Sequence, residues 1–207
     1  MKNSFFAGLL SLTIMISCQP DKQLTNYVNP LLGTATLWET KDLGYERHLK
    51  TRTWGAEVFP GSSVPNAMVQ LSPVTQFRSG AGYQYEDTVI YGFSHTNKGH
   101  WNLLHLPVLP VTGNVSSGDY ASTYSHSNES ARPGYYQVFL ERYGVNAELT
   151  STLRCAYHKY TFRPDDDKKV LVDITRTNNG VRDWSIQKVD DYTFSGNQDA
   201  EGNIRFY

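Results

Sequence analysis

The segment Gly92-Phe-Ser-His-Thr-Asn-Lys-Gly-His-Trp101 sets two imidazoles, an ammonium, a carboxamide and an indole within one short stretch. Imidazole and amide groups exchange hydrogen bonds with hydroxyls, and an indole presents a flat apolar face with one N–H donor. The candidate contacts to a hydroxylated ligand are therefore His95, Asn97, His100 and Trp101. Each also has a plainer reading. Trp101 suits a core, and Asn97 and Lys98 suit a loop in which Gly99 permits a tight excursion. His95, His100 and His105 recur at odd spacing, which alternates their direction on a regular strand. The spacing differs from the His-x-x-x-His pair of a helical zinc site, so a transition-metal centre is not indicated.

A second polar cluster runs Tyr124-Ser-His-Ser-Asn-Glu129. His126 and Glu129 could serve as acid, base or hydrogen-bonding partner, or could organise the turn before the Tyr135–Glu141 segment. Glu86-Asp87 and Asp165 to Asp167 supply further carboxylates. Glycoside hydrolysis needs two carboxyl groups facing each other across the scissile bond, and adjacency in sequence does not establish that. No catalytic residue is assigned. The chain has no Gly-x-Ser-x-Gly elbow, phosphate-binding loop or dinucleotide fingerprint.

The elements that must position these groups read as strands. Tyr136, Val138 and Leu140 alternate with more polar neighbours, and Val145, Ala147, Leu149 and Leu153 continue one apolar face. Tyr143-Gly144 turns the chain between them. Ala156, His158, Tyr160 and Phe162 form the next apolar-biased set, ended by Pro164-Asp-Asp-Asp167. Val64–Leu71, Val170–Ile174, Trp184–Val189 and Tyr192–Phe194 are further strand candidates, separated by the breakers Asn178-Asn179-Gly180 and Ser195-Gly196-Asn197. No helix of three or more turns is expected. Short strands with Gly-, Pro- and Asn-rich connections predict an all-β antiparallel sandwich. An aromatic content of 13% fits, because rings fill pleated faces and would also supply a sugar site.

The formal net charge of -1 argues against a nucleic-acid partner, which would call for clustered and excess Lys and Arg. Lys2, the apolar run Phe5 to Ile16 and Met15-Ile-Ser-Cys18 read as a processing signal too short to span a bilayer. Its end resembles a bacterial lipobox, which would make residues 1–17 a lipoprotein signal peptide. Acylation of Cys18 would then anchor the chain to an envelope membrane. A plain secretory peptide with an incidental cysteine is the alternative. Residues 18–26 read as a tether. Cys155, the one cysteine left after Cys18, is expected as a small buried hydrophobe. The strand-like Gly202-Asn-Ile-Arg-Phe-Tyr207 ends without a polar tail, and is read either as the cut edge of a fragment or as a strand paired within the sheet.

Taken in order, the motifs resemble the amino-terminal domain of glycoside hydrolase family 92. They are Asn29-Pro-Leu-Leu-Gly-Thr34, Phe59-Pro-Gly61, Val64-Pro65, Met68-Val-Gln-Leu-Ser-Pro73, Gly82-Tyr-Gln-Tyr85 and Gly92-Phe-Ser-His-Thr96. Tyr124-Ser-His126, Glu129, Pro133-Gly-Tyr-Tyr-Gln-Val138 and Glu148-Leu-Thr150 extend the series. The resemblance implies that residues 27–207 are an amino-terminal β-sandwich, incomplete at its carboxyl-terminal end, that precedes a helical (α/α) barrel. It also implies an exo-acting, inverting alpha-mannosidase acting on terminal alpha-linked mannose of glycans. Acid, base and calcium ligands would come from the barrel, outside this chain. The sequence departs from the family pattern at Asn97-Lys-Gly-His-Trp-Asn102, where a histidine and a Ser-Gly-x-Gly stretch are common, and at Asn66-Ala67, where Phe-Gly is common. A noncatalytic carbohydrate-binding or scaffold protein and an inactive truncated product are the competing readings.

Overall fold

The structure is a computed structural model that describes residues 23–36, 56–97, 103–200 and 203–207. It is an all-β antiparallel sandwich. One sheet contains β1 (Ser72–Val74), β3 (Gly92–Ser94), β4 (Val108–Thr112) and β10 (Lys168–Val172), in that spatial order. Along the chain, β1 and β3 are separated by β2 (Val89–Ile90), which pairs with β5 (Ser122–Thr123) as a separate short ribbon. The second sheet is a meander of β6 (Glu129–Arg132), β7 (Tyr135–Leu140), β8 (Val145–Ser151) and β9 (Ala156–Thr161). A third, smaller sheet joins β11 (Asp183–Lys188), β12 (Phe194–Asp199) and β13 (Asn203–Phe206). Among the described residues helical structure is limited to short 3-10 turns at Leu24–Tyr27 and His126–Asn128.

The core follows from alternation. Successive residues of a strand face opposite sides, and the register Tyr136↔Leu149, Val138↔Ala147, Leu140↔Val145 stacks the apolar sets of β7 and β8 on one face. All of these residues are buried, and they pack against Phe93, Leu109 and Val111 of the first sheet. Full burial of each large apolar side chain contributes roughly 1.5–3 kcal/mol. The turn between β7 and β8 needs Gly144, whose φ is +65°. Its neighbour Tyr143 donates to the Tyr120 carbonyl at 2.7 Å, tying the turn to the opposite side of the core.

Four local expectations differ from the structure, each for a physical reason. Val64–Leu71 is not a strand. Pro65 lacks an N–H, Asn66 takes the left-handed conformation (φ +57°) and Ala67 donates to Val64, so the segment turns and leaves an isolated Ser62↔Leu71 bridge. The Ser195-Gly196-Asn197 breaker lies inside β12. A Cβ on Gly196 would sit 2.4 Å from the Phe206 ring, so the bare glycine admits that ring from β13. Of the expected Tyr192–Phe194 strand, only Phe194 is in a strand, as the first residue of β12; Tyr192 and Thr193 belong to the turn that precedes it, with Tyr192 exposed. Leu153 and Cys155 are exposed because they fall in the β8–β9 turn, where Thr152 N–H donates to the Cys155 carbonyl. The Asn203–Phe206 strand is present and pairs along β12.

Candidate functional site

β3 delivers the chemistry-bearing segment. Beyond Ser94 the chain leaves the sheet but stays tied on both sides. His95 N–H donates to the His105 carbonyl, and the His95 carbonyl accepts from Gln70. The returning stretch is strained, since Leu103, Leu104 and Leu106 have φ of +65°, +61° and +51°. Left-handed backbone at a branched residue costs about 1–3 kcal/mol and persists only where its surroundings impose it. Here Leu104 N–H bonds Thr96, Leu106 N–H bonds Gln198, and Leu104 fills the space above Gly82.

His95 is the end of a hydrogen-bonded chain that crosses from one sheet to the other. Its Nδ1 lies 2.7 Å from the Leu106 carbonyl, which can only accept, so Nδ1 carries the proton. Its Nε2 lies 3.1 Å from Nε2 of His158 on β9, and His158 Nδ1 lies 2.7 Å from the Tyr160 hydroxyl. With His95 Nε2 as acceptor, His158 donates from Nε2 and accepts the Tyr160 hydroxyl at Nδ1. Both rings are then neutral. Burial pushes the His95 pKa down, against a smaller upward effect of the Leu106 hydrogen bond. Burial, helped by the neighbouring His95, pushes His158 down to about 3. Burial likewise raises the Tyr160 phenol, so it remains a donor.

Asn97 is fully buried; its amide donates to the Ala81 carbonyl at 2.6 Å, and its backbone N–H donates to Gln70. It braces the glycine-rich Gly80–Gly82 loop. Of the candidate contacts, His95 and Asn97 therefore stand close together in a preformed scaffold, whereas His100 and Trp101 lie outside the described residues, as does Cys18. Sequence reasoning missed His158 and Tyr160 as partners of the site. The inward face of β9 was legible, but its partner lies 63 residues away along the chain.

The His126–Glu129 cluster is organised around a buried carboxylate. Glu129 Oε1 accepts from Tyr136 at 2.6 Å and Tyr83 at 2.9 Å, while Oε2 meets His126 Nδ1 at 2.6 Å. The other nitrogen of His126 faces the Tyr85 carbonyl at 2.5 Å, and the Tyr85 ring stacks on the imidazole with centroids 3.9 Å apart. Burial first, and the Glu129 charge second, hold the phenols of Tyr83, Tyr124 and Tyr136 above the usual range. Tyr83 and Tyr136 remain donors to the carboxylate. Its side chain is 0% exposed, so Glu129 anchors β6 to the core and is shielded from any substrate proton. Among the described residues no group of three or more His, Cys, Asp or Glu side chains could hold a metal ion. No helix among the described residues is long and apolar enough to cross a membrane.

Fold and site together define a β-sandwich domain that presents a braced, imidazole-bearing segment. Over residues 27–207 the chain matches the glycosyl hydrolase family 92 N-terminal domain, and it belongs to that family. The structure is similar to the family GH92 alpha-mannosidase BT3965 of Bacteroides thetaiotaomicron in complex with mannoimidazole. The TM-score is 0.73 at 29% identity, over 86% of this chain and 23% of that one. It is also similar to BT2199, the inverting mannosidase of Bacteroides thetaiotaomicron VPI-5482, with TM-score 0.64 at 26% identity over 84% and 22% of the two chains. The chain thus spans less than a quarter of these enzymes. No curated protein matches.

Proposed function

We propose that this chain is the amino-terminal sandwich of an exo-acting, inverting alpha-mannosidase that removes terminal alpha-linked mannose from glycans. The observation that carries the reading is the match of residues 27–207 to the family 92 amino-terminal domain. The likeness to a mannosidase holding mannoimidazole supports it. The general acid, the general base and the calcium ligands lie outside this chain, in a carboxyl-terminal helical barrel. Inversion requires the acid to protonate the leaving oxygen while the base activates water on the opposite face.

The sandwich shapes the sugar pocket. His100 and Trp101 supply a donor and a stacking face, His95 offers its neutral ring, and Asn97 acts by holding the Gly80–Gly82 loop. The Asn97–Asn102 departure from the common family pattern tunes which linkage is accepted. Residues 1–17 are a lipoprotein signal peptide and 18–26 a tether, with lipid on Cys18 fixing the protein to the outer membrane or the periplasmic face of the envelope. The test is mannose release from terminal alpha-mannosides by the whole protein and by residues 18–207 alone. Release by the whole protein only is expected; turnover that scales with the purified 18–207 piece sinks the division of labour.

A further inference from the structure

A second site lies away from the histidine pair, in a cavity of about 480 Å³ beside the β1 end of the first sheet. Two arginines, Arg78 and Arg176, line it, and no acidic side chain does so among the described residues. Arg176 is held in a ring cage: its guanidinium carbon lies 5.4 Å from the Phe77 centroid, 5.8 Å from Tyr91 and 5.7 Å from Tyr120. Behind it, Asp173 stands 3.8 Å from Nε and accepts the Tyr120 hydroxyl, and that hydroxyl lies 3.4 Å from Nη1. These contacts fix the plane of the guanidinium and leave other N–H donors of its fork toward the cavity. Arg78 makes no hydrogen bond or ion pair among the described residues, is exposed, and is held at φ +57° on the cavity rim.

Asp173 offsets one of the two positive charges, which leaves a site suited to a single negative charge. The Phe77 and Tyr91 rings also line the cavity, with centroids 5.8 Å apart and planes inclined at 58°, and give an apolar wall for the C–H face of a sugar ring. A pre-oriented guanidinium matches the two oxygens of a carboxylate. We propose that this cavity binds a carboxylate-bearing sugar, a uronic acid residue of a glycan, with Arg176 on the carboxylate and Arg78 closing over it. That the ligand is a saccharide rests on the function proposed above; the anion preference rests on the cavity itself.

The experiment measures binding of methyl glucuronoside, its neutral methyl ester and methyl glucoside 6-sulfate to the whole protein by titration calorimetry. The glucuronoside is expected to bind about tenfold or more tightly than the ester, as one charge-assisted pair implies. Arg176→Gln and Arg78→Gln should each remove most of that preference. Arg78 is on the exposed rim, so its variant tests the site even if Arg176→Gln unfolds. Equal affinity for acid and ester, unchanged binding in Arg78→Gln, or a tenfold preference for the sulfate would overturn the assignment. Mannoside hydrolysis is followed in the same preparation. Absent glucuronoside binding with intact hydrolysis overturns this proposal alone, and absent hydrolysis with intact glucuronoside binding overturns only the mannosidase reading.

Discussion

Lowering the pH should loosen the sandwich through His158, by an amount the structure allows to be worked out. An unfolded histidine titrates near 6.5, whereas burial beside His95 holds His158 at about 3 in the folded protein. Between those values the unfolded state binds the extra proton, so stability falls as pH falls. The contribution is fully present above about pH 6.5 and is lost progressively toward pH 3. At pH 5 the loss from this ring amounts to about 2 kcal/mol, from the linkage relation with those two values. His95, lowered in the same direction, adds to it. Urea unfolding at pH 7.5 and pH 5.0, run on wild type and His158→Gln, isolates the effect because the His126–Glu129 pair is common to both. Wild type should lose about 2 kcal/mol more than the variant at unchanged m-value. An equal loss in both proteins would refute the neutral, proton-excluding histidine chain.

The remaining predictions concern Glu129 and Trp101. Glu129→Ala leaves the buried hydroxyls of Tyr83 and Tyr136 and one nitrogen of His126 without their acceptor. It should cost about 3 kcal/mol or more in chemical denaturation, and a loss under about 1 kcal/mol would show the cluster to be dispensable. Trp101→Ala should weaken mannoside binding more than it lowers the melting temperature. Unchanged affinity with a large loss of stability would make Trp101 a core residue instead.

The parts of the fold legible in the sequence are those where one strand face is buried and the other is not. Tyr136, Val138, Leu140, Val145, Ala147 and Leu149 announce both strands of the central hairpin, because burial imposes a period of two on residue type. Residue type misleads where backbone geometry overrides composition. Val64–Leu71 is apolar enough for a strand, yet Pro65 and the left-handed Asn66 turn it. Gly196 is an ordinary breaker by type, but the Phe206 ring occupies the space its missing side chain leaves. The site divides in the same way. The Gly92–Trp101 segment stands out by residue type, whereas the partners that set its electrostatics are distant in sequence. His158 reaches His95 across 63 residues, and Tyr83 reaches Glu129 across 46. Nothing in the local pattern of either partner marks such a contact, which exists only once the two sheets have packed. The same holds for Arg176, whose cage draws on Phe77 and Tyr91 from the far side of the first sheet.

The most direct test of the central claim is proton NMR of the sugar first released when the whole protein acts on an alpha-mannobioside. An inverting exo-mannosidase built on this sandwich yields beta-mannose as the initial anomer, followed by mutarotation. Alpha-mannose as the first product, or no mannose at all from a folded whole protein, would contradict the account.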